Sequence, residues 1–186
     1  MGRANAFGAD ETMREARSFA TFLVAAMTLT ACGSEFISDD TLYTDDMDFS
    51  IDGESRILDT VESREVLDVL AKYRAAIVKK DFGTLNRIVS QDYYDNAATT
   101  DTTRDDYGRE GLSETFELMA QHAESIQYKV MVKSLEVERG LAHVDYEYSY
   151  AYQYRVGDEV AWDSGTDVNR VQFKQIEGEW KIIAGL

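Results

Sequence analysis

The sequence offers few thiols, few imidazoles and little positive charge. It contains one cysteine, so no intramolecular disulfide can form and packing alone must stabilise the fold. Lysine and arginine total 19 against 35 aspartates and glutamates, which gives a net charge of −16. Because a surface this acidic repels phosphate backbones and no basic stripe is present, we expect no nucleic-acid partner.

Metal and cofactor signatures are also scarce. His122 and His143 lie far apart in the sequence, which gives little support to a zinc or iron site. Residues 48–59 follow the loosest form of a calcium-binding loop around Gly53, but a cationic Arg56 occupies a ligand position and no helix precedes the loop. No serine–histidine–aspartate, P-loop or dinucleotide pattern is present. We therefore predict no metal and no cofactor.

The longest apolar run, residues 19–31, follows Arg14 and Arg17 and ends at the single cysteine, Cys32. It is too short to cross roughly 30 Å of hydrocarbon, but it suits the apolar core of a secretory signal. Leu29-Thr30-Ala31-Cys32 resembles the lipobox of bacterial lipoproteins, where the cysteine is acylated through sulfur. The alternative, a short buried helix with a core thiol, fits poorly because arginines precede the run and an acidic segment follows it.

This resemblance implies a signal peptide over 1–31, with Met13 as a better start than Met1 because residues 1–12 carry two acidic residues. The mature chain would then begin at Cys32, bearing acyl chains such as palmitate that attach it to the membrane. We expect the protein in the cell envelope, on the periplasmic side of a bacterial membrane. Gly33, which is not the aspartate of an inner-membrane retention signal, favours the outer membrane.

The segment after the cysteine is predicted to be a flexible tether over residues 32–56. From 33 to 56 it holds eight acidic residues and one basic residue, with no regular apolar period. Such a segment repels itself and cannot fold alone. The remaining residues, 57–186, have the length of one domain with a single core.

The domain shows helical spacing first and strand alternation afterwards. Apolar residues recur at helical spacing over 61–79, Asp81 can cap a second, shorter helix, and a third helix is predicted over 109–123. A short extended piece near 93–97 precedes the third helix. After Glu124 the period becomes two, with strands at 126–133, 143–154, 159–162, 167–175 and 180–183. In the second of these, five tyrosines share one face: Tyr146, Tyr148, Tyr150, Tyr152 and Tyr154.

Three segments of the domain carry a family resemblance: 70–85 (LAKYRAAIVKKDFGTL), 108–116 (GREGLSETF) and 171–183 (VQFKQIEGEWKII). They are similar to segments of the NTF2-like superfamily, which includes SnoaL-like and ketosteroid-isomerase-like proteins. The resemblance implies an α+β fold in which a curved antiparallel sheet wraps around three N-terminal helices, forming a cone with a pocket at its open end. Members of this superfamily include enzymes, ligand-binding proteins and dimerisation modules, so the fold does not decide the function.

The isomerase pattern transfers only in part. It implies a hydrogen-bond donor at Tyr73 on the first helix and a second donor at Asn169 on a late strand. The position of the catalytic base falls on Ala97, so Asp95, on the same face of that strand, is the substitute candidate. Tyr73, Asp95, Asn169 and Tyr148, in the tyrosine face, are the predicted ligand-binding residues. Tyr73 also fits a purely structural role in the core.

Three functions follow from these observations. The first is a lipid-anchored domain that binds a small apolar molecule in the cone, or serves as an accessory module of the envelope, without catalysis. The second is a SnoaL-like or ketosteroid-isomerase-like isomerase or lyase acting on a small apolar substrate through Tyr73, Asp95 and Asn169. The third is a structural module that forms a homodimer through its sheet.

Overall fold

A computed structural model describes residues 36–42, 46–96 and 104–186 of the chain. The predicted signal peptide, Cys32 and Ala97 lie outside the described residues. The described part folds, as predicted, as an α+β domain in which three helices precede the long strands of a curved antiparallel sheet, but these strands number four and not the five predicted. Within these ranges, no helix is both long enough and apolar enough to cross a membrane.

The helices begin and end at the capping residues that the sequence provides. They are α1 (Val61–Lys79), α2 (Phe82–Ile88) and α3 (Arg109–His122). The Thr60 side chain accepts a hydrogen bond from the Ser63 N–H at the start of α1, and the Asp81 side chain accepts one from the Thr84 N–H at the start of α2. Helix α1 ends at Lys80, whose φ of 55° is left-handed.

The strands are β1 (Phe49–Ile51), β2 (Tyr94–Asp95), β3 (Tyr107–Gly108), β4 (Ala123–Glu138), β5 (Leu141–Val156), β6 (Glu159–Ile176) and β7 (Glu179–Ala184). Five of them form one sheet in the order β1-β4-β5-β6-β7, and β2 pairs with β3. All pairs in the large sheet are antiparallel except β1 with β4. Irregular register within β4, and between β6 and β7, contributes to the bending of the sheet.

The prediction of separate strands at 159–162 and 167–175 was wrong, because β6 is continuous. The polar residues between them pair without interruption with β5, and Gly165 faces Tyr150 across the ladder. A glycine inside a strand leaves room for a neighbouring ring. Here a Cβ on Gly165 would lie 3.0 Å from the Tyr150 hydroxyl. Gly165 therefore accommodates an aromatic side chain and does not end the strand.

One face of the sheet, called the inner face below, packs against the helices. The predicted alternation is confirmed, since Ile126, Tyr128, Val130 and Val132 of β4 point inward and are buried. The core combines them with residues of α1, β5, β6 and β7, chiefly Val66, Leu70, Ile77, Ile126, Val130, Val132, Val144, Tyr146, Val171, Phe173 and Ile182. The opposite, outer face carries most of the ion pairs.

The prediction of a flexible tether over 32–56 was wrong for the residues described within it, 36–42 and 46–56. Ile37, Phe49 and Ile51 are buried in the core, and β1 lies beside β4 with Phe49 opposite Val130. Three acidic residues of this segment face basic side chains of the domain, which offsets their mutual repulsion. The Arg74 guanidinium bonds Asp46 and Asp48, and Lys133 bonds Asp52 at 2.9 Å. The folded unit therefore includes residues 36–42 and 46–56 as well as the domain predicted to begin at residue 57.

Candidate functional site

An open cavity of about 1080 Å³ lies beside the β5–β6 ribbon, near the end of β7. Side chains along a strand point alternately to its two faces, and the lining residues of the cavity come from both faces of the ribbon formed by β5 and β6. The volume on the inner face is therefore smaller than the total. The inner-face part is rich in tyrosines and short polar side chains: Tyr94, Asp95, Tyr107, Tyr146, Tyr148, Asp167 and Asn169. This inner-face part is the candidate site.

Residues 185–186, directly after β7, form one wall of the site and are held by its polar side chains. The Asn169 amide donates to the Gly185 carbonyl oxygen at 3.0 Å, and the Asp95 carboxylate accepts a hydrogen bond from the Gly185 N–H. The Leu186 N–H donates to the Tyr93 hydroxyl at 3.0 Å, and the Tyr107 hydroxyl donates to the Leu186 backbone oxygen. The 185–186 segment is thus fixed by four side chains from three parts of the chain.

Gly185 has the backbone conformation that this wall requires. Its φ of +89° lies in the region that favours glycine, and a Cβ at this position would overlap the Arg170 backbone oxygen. The close approach lets both polar groups of the Gly185 peptide reach Asp95 and Asn169.

Three of the four predicted ligand-binding residues lie at the cavity. Asp95, Tyr148 and Asn169 all line it. The structure therefore brings Asp95 and Asn169 together, and it bonds both of them to one residue of the chain, Gly185.

The fourth predicted residue, Tyr73, lies in the core and is not among the described residues that line the cavity. Its side chain is 7% exposed, and its ring meets the ring of Tyr128 edge to face with centroids 6.3 Å apart. Burial raises the pKa of Tyr73 well above its usual value of about 10, so its phenol stays protonated at neutral pH.

The tyrosine face of β5 forms a continuous column that runs out of the core. Ring centroids are 5.8 Å apart between Tyr146 and Tyr148, 6.2 Å between Tyr148 and Tyr150, and 4.9 Å between Tyr150 and Tyr152. Tyr146 is buried, and burial raises its pKa to about 12. The three tyrosines beyond it are half-buried, so their rings are accessible from the open side.

Carboxylates stand beside this column on β6. Asp167 pairs with Tyr148 in the strand register, and Asp163 pairs with Tyr152. Both carboxylates are exposed. The pKa values of Tyr148 and Tyr152 are raised mainly by burial, and the negative charge of the carboxylate opposite each tyrosine raises its pKa further. The inner face of the ribbon therefore combines aromatic rings with negative charge.

The basic residues that line the cavity, Lys133 and Arg170, lie on the outer face of the sheet, and each forms an ion pair there. Arg170 bonds Asp145 at 2.6 Å, and Lys133 bonds Asp52 at 2.9 Å. The Arg170 guanidinium holds the pKa of Asp145 below its usual value. Their charge is thus neutralised away from the tyrosine column.

Metal binding finds no support in the ranges that the structure describes. There, no group of three or more histidine, cysteine, aspartate or glutamate side chains is arranged to hold an ion. In the loop that resembles a calcium site, Asp48 and Asp52 point to Arg74 and Lys133.

Sequence reasoning missed the 185–186 wall and the two tyrosines that hold it, Tyr93 and Tyr107. Both rings lie close together, with centroids 6.1 Å apart, although 14 positions separate them in the sequence. The wall is held by its backbone N–H and C=O groups, which carry no sequence signal. The available signal is weak: Tyr93 and Asp95 share one side of a short extended piece.

Comparisons with known proteins show what the chain is similar to. No family profile matches the sequence, and no curated protein matches it either. Three solved structures share its fold at low sequence identity. A conserved protein from Planctomyces limnophilus is 18% identical over 67% of this chain and 92% of its own, with a TM-score of 0.56.

The other two structures carry family names. A candidate dehydratase of the NTF2-like family from Streptomyces avermitilis is 16% identical, with a TM-score of 0.54 over 65% of this chain and 91% of its own. An NTF2-like superfamily protein from Salmonella enterica is 15% identical, with a TM-score of 0.52 over 66% of this chain and 86% of its own. Together with the α+β architecture and the curved sheet, these structures show that the chain has the NTF2-like fold.

Proposed function

We propose that this domain binds a small molecule in the open cavity and does not transform it. The observation that supports this proposal is a pair of hydrogen bonds at Gly185: its N–H donates to the Asp95 carboxylate, and its carbonyl oxygen accepts from the Asn169 amide. An isomerase or lyase would need these groups to face its substrate, since a general base must reach the proton that it removes. Here they hold the wall of the cavity.

The cavity itself has the features of a binding site. It is concave, and its lining combines four tyrosines with several polar and charged side chains that can orient a bound molecule. Its whole volume of about 1080 Å³ slightly exceeds the usual range for small-molecule sites, about 300–1,000 Å³, and part of that volume lies on the outer face.

Native mass spectrometry of the protein extracted from its own membranes tests this function. We expect a retained small molecule on the wild-type protein and its loss from Tyr148→Ala, because that change removes a ring that lines the cavity. Tyr154→Ala, at the far end of the column, is the matched control and should keep the ligand. Equal occupancy of both variants, or no ligand on any of them, would contradict the proposal.

We propose that a lipid anchor attaches this domain to a membrane. We infer that Cys32 is acylated and holds the protein in the cell envelope, on the periplasmic side of the outer membrane, because Leu29-Thr30-Ala31-Cys32 follows a cationic and then apolar leader. Replacement Cys32→Ser should abolish labelling by a fatty-acid analogue and attachment of the mature protein to membranes. Ser34→Ala, which keeps the thiol, should change neither. A processed and labelled Cys32→Ser protein would rule out the lipobox.

Dimerisation is a second candidate function, and the outer face of β6 favours it. Val160, Trp162 and Val168 share that face and are exposed, with Trp162 at 55%. Exposed apolar groups of this kind mark interaction surfaces when they are contiguous. Sedimentation of the soluble domain tests this candidate. A dimer that Trp162→Ser converts to a monomer would support it, and a wild-type monomer at all concentrations would exclude it.

A further inference from the structure

The aromatic surface of the cavity has the chemistry that attracts positive charge. Tyr107, Tyr146 and Tyr148 line the cavity, and Tyr150 continues the column at a centroid distance of 6.2 Å. The face of a phenol ring carries a negative partial charge that attracts cations, most strongly ammonium groups shielded from water. An apolar neutral molecule would be stabilised here only by the burial of apolar surface, whereas a cation would also be stabilised by electrostatic attraction to the rings.

The Asp167 carboxylate lies next to the place that such a cation would occupy. Asp167 faces Tyr148 across the strand register and lines the same cavity, and Asp163, opposite Tyr152, lies four register pairs further along. Among the residues that the structure describes, no lysine or arginine forms an ion pair with Asp163 or Asp167. The backbone N–H of Val168 donates to Asp167 at 2.8 Å, which fixes one oxygen of the carboxylate.

Basic side chains of the cavity lining do not occupy the space between Asp167 and the tyrosine column. The two basic residues of the cavity lining, Lys133 and Arg170, sit on the outer face and are paired with Asp52 and Asp145. The net charge of −16 adds a long-range attraction for cations and a repulsion for anions.

We propose that the ligand of this cavity is a small organic cation, with an ammonium group held between the rings of the tyrosine column and the Asp167 carboxylate. This inference rests on the proposed binding function and names the chemical class of the ligand. The sequence led us to expect a small apolar molecule. The proposed ligand also has apolar surface, but it carries a positive charge.

Choline and its neutral isostere 3,3-dimethylbutan-1-ol test the proposal, because they differ only in a nitrogen cation replaced by carbon. In titrations of the folded protein followed by NMR, choline should bind saturably and at least about tenfold more tightly than the alcohol. Added sodium chloride should weaken the binding of choline and leave that of the alcohol unchanged.

Matched charge variants locate the site. Asp167→Asn should weaken choline binding by about threefold to tenfold. Asp158→Asn makes the same change of net charge at the exposed β5–β6 turn and should have no effect beyond about twofold. Circular dichroism of each variant verifies that it is folded.

The outcomes separate this inference from the proposed function. If the alcohol binds as tightly as choline, the cation is overturned while ligand binding stands. If Asp158→Asn weakens choline as much as Asp167→Asn does, the attraction is non-specific and the proposed site is overturned. If neither probe binds, the cation inference is overturned as well, and native mass spectrometry decides ligand binding separately.

Discussion

Strands β5 and β6 run through two regions of different character. At one end Val144 pairs with Val171, and both side chains are fully buried. At the other end Tyr150 pairs with Gly165 and Tyr152 with Asp163, and these residues are half-buried or exposed. One pair of strands thus supplies the core at the first end, called the covered region, and an accessible surface next to the cavity at the second, called the open region.

The difference comes from what covers each region. Strand β7 pairs with β6 only over 172–176, and α1 packs beside β4, so the rest of β6 forms an edge of the sheet. Residues 159–170 of β6 are therefore exposed or half-buried, although they pair with β5 along their whole length. We therefore expect substitutions in the covered region to change stability, and substitutions in the open region to change binding with little effect on stability.

Removing residues 1–56 should have the largest effect on the covered region. A chain that starts at Ile57 loses Ile37, Phe49 and Ile51, and buried side chains of this size contribute about 1.5–3 kcal/mol each. We expect the free energy of unfolding in urea to fall by several kcal/mol relative to a chain that starts at Gly33. Equal stability of the two chains would show that the segment is a tether after all.

Phe173→Ala, in the covered region, should be the most damaging single substitution considered. Phe173 is fully buried, and removal of such a ring costs about 3–5 kcal/mol. Tyr152→Ala is the matched change in the open region and should cost about 1 kcal/mol, because that ring is only half-buried. Similar costs in urea denaturation would contradict the division into two regions.

Alkaline pH tests the boundary between the regions, where Tyr146 lies. Burial raises the pKa of Tyr146 to about 12, above the value of about 10 in an unfolded chain. The folded state therefore holds this proton more tightly, and its contribution, present in full below pH 10, is lost as the pH rises towards 12. We expect a loss of about 2–3 kcal/mol from this group. Tyr146→Phe should make the loss of stability in that interval smaller by this amount, while other buried tyrosines such as Tyr73 keep their own contribution. An unchanged profile would exclude a buried phenol at Tyr146.

Asp95→Asn separates a wall of the site from a catalytic base. If Asp95 only holds the 185–186 segment, the change should cost about 1 kcal/mol of stability, since a neutral amide is a weaker acceptor than a carboxylate. If it is the base of an isomerase, turnover should fall about a hundredfold or more. A rate collapse with unchanged stability would favour the isomerase.

Gly165→Ala should have the smallest effect on stability. The new Cβ would lie about 3 Å from the Tyr150 ring and hydroxyl, but this half-buried ring can shift. We expect a cost of about 0.5–1 kcal/mol in thermal denaturation and a clear change in ligand affinity. A cost of several kcal/mol would mean that the open region is as tightly packed as the core.

The sequence predicted the regular elements of this fold well, since each depends on neighbours along the chain. The helix over 61–79 and the alternation of β4 follow from local apolar spacing, and both are confirmed. The helix predicted over 109–123 ends one residue earlier in the structure. The resemblance of three segments to NTF2-like proteins then predicted how the elements assemble.

The errors arise where distant residues decide the outcome. The acidic stretch before residue 57 reads as self-repelling, but Arg74 and Lys133, which neutralise part of it, lie at least 26 positions from the carboxylates that they bond. Phe49 and Ile51 alone are too few to show a period. Similarly, the contacts of Asp95 and Asn169 with Gly185 involve backbone groups, so the sequence predicted the place of these residues in the cavity but not their hydrogen-bond partner.

The most direct test of the open region as a binding surface is to map choline onto the protein by NMR. We predict that the resonances of Tyr107, Tyr148, Tyr150 and Asp167 shift together along one saturating curve. Those of Val144, Val171 and Phe173, in the covered region, should stay unchanged. Shifts that are absent from the tyrosine column, or that spread across the acidic surface without saturation, would contradict the account.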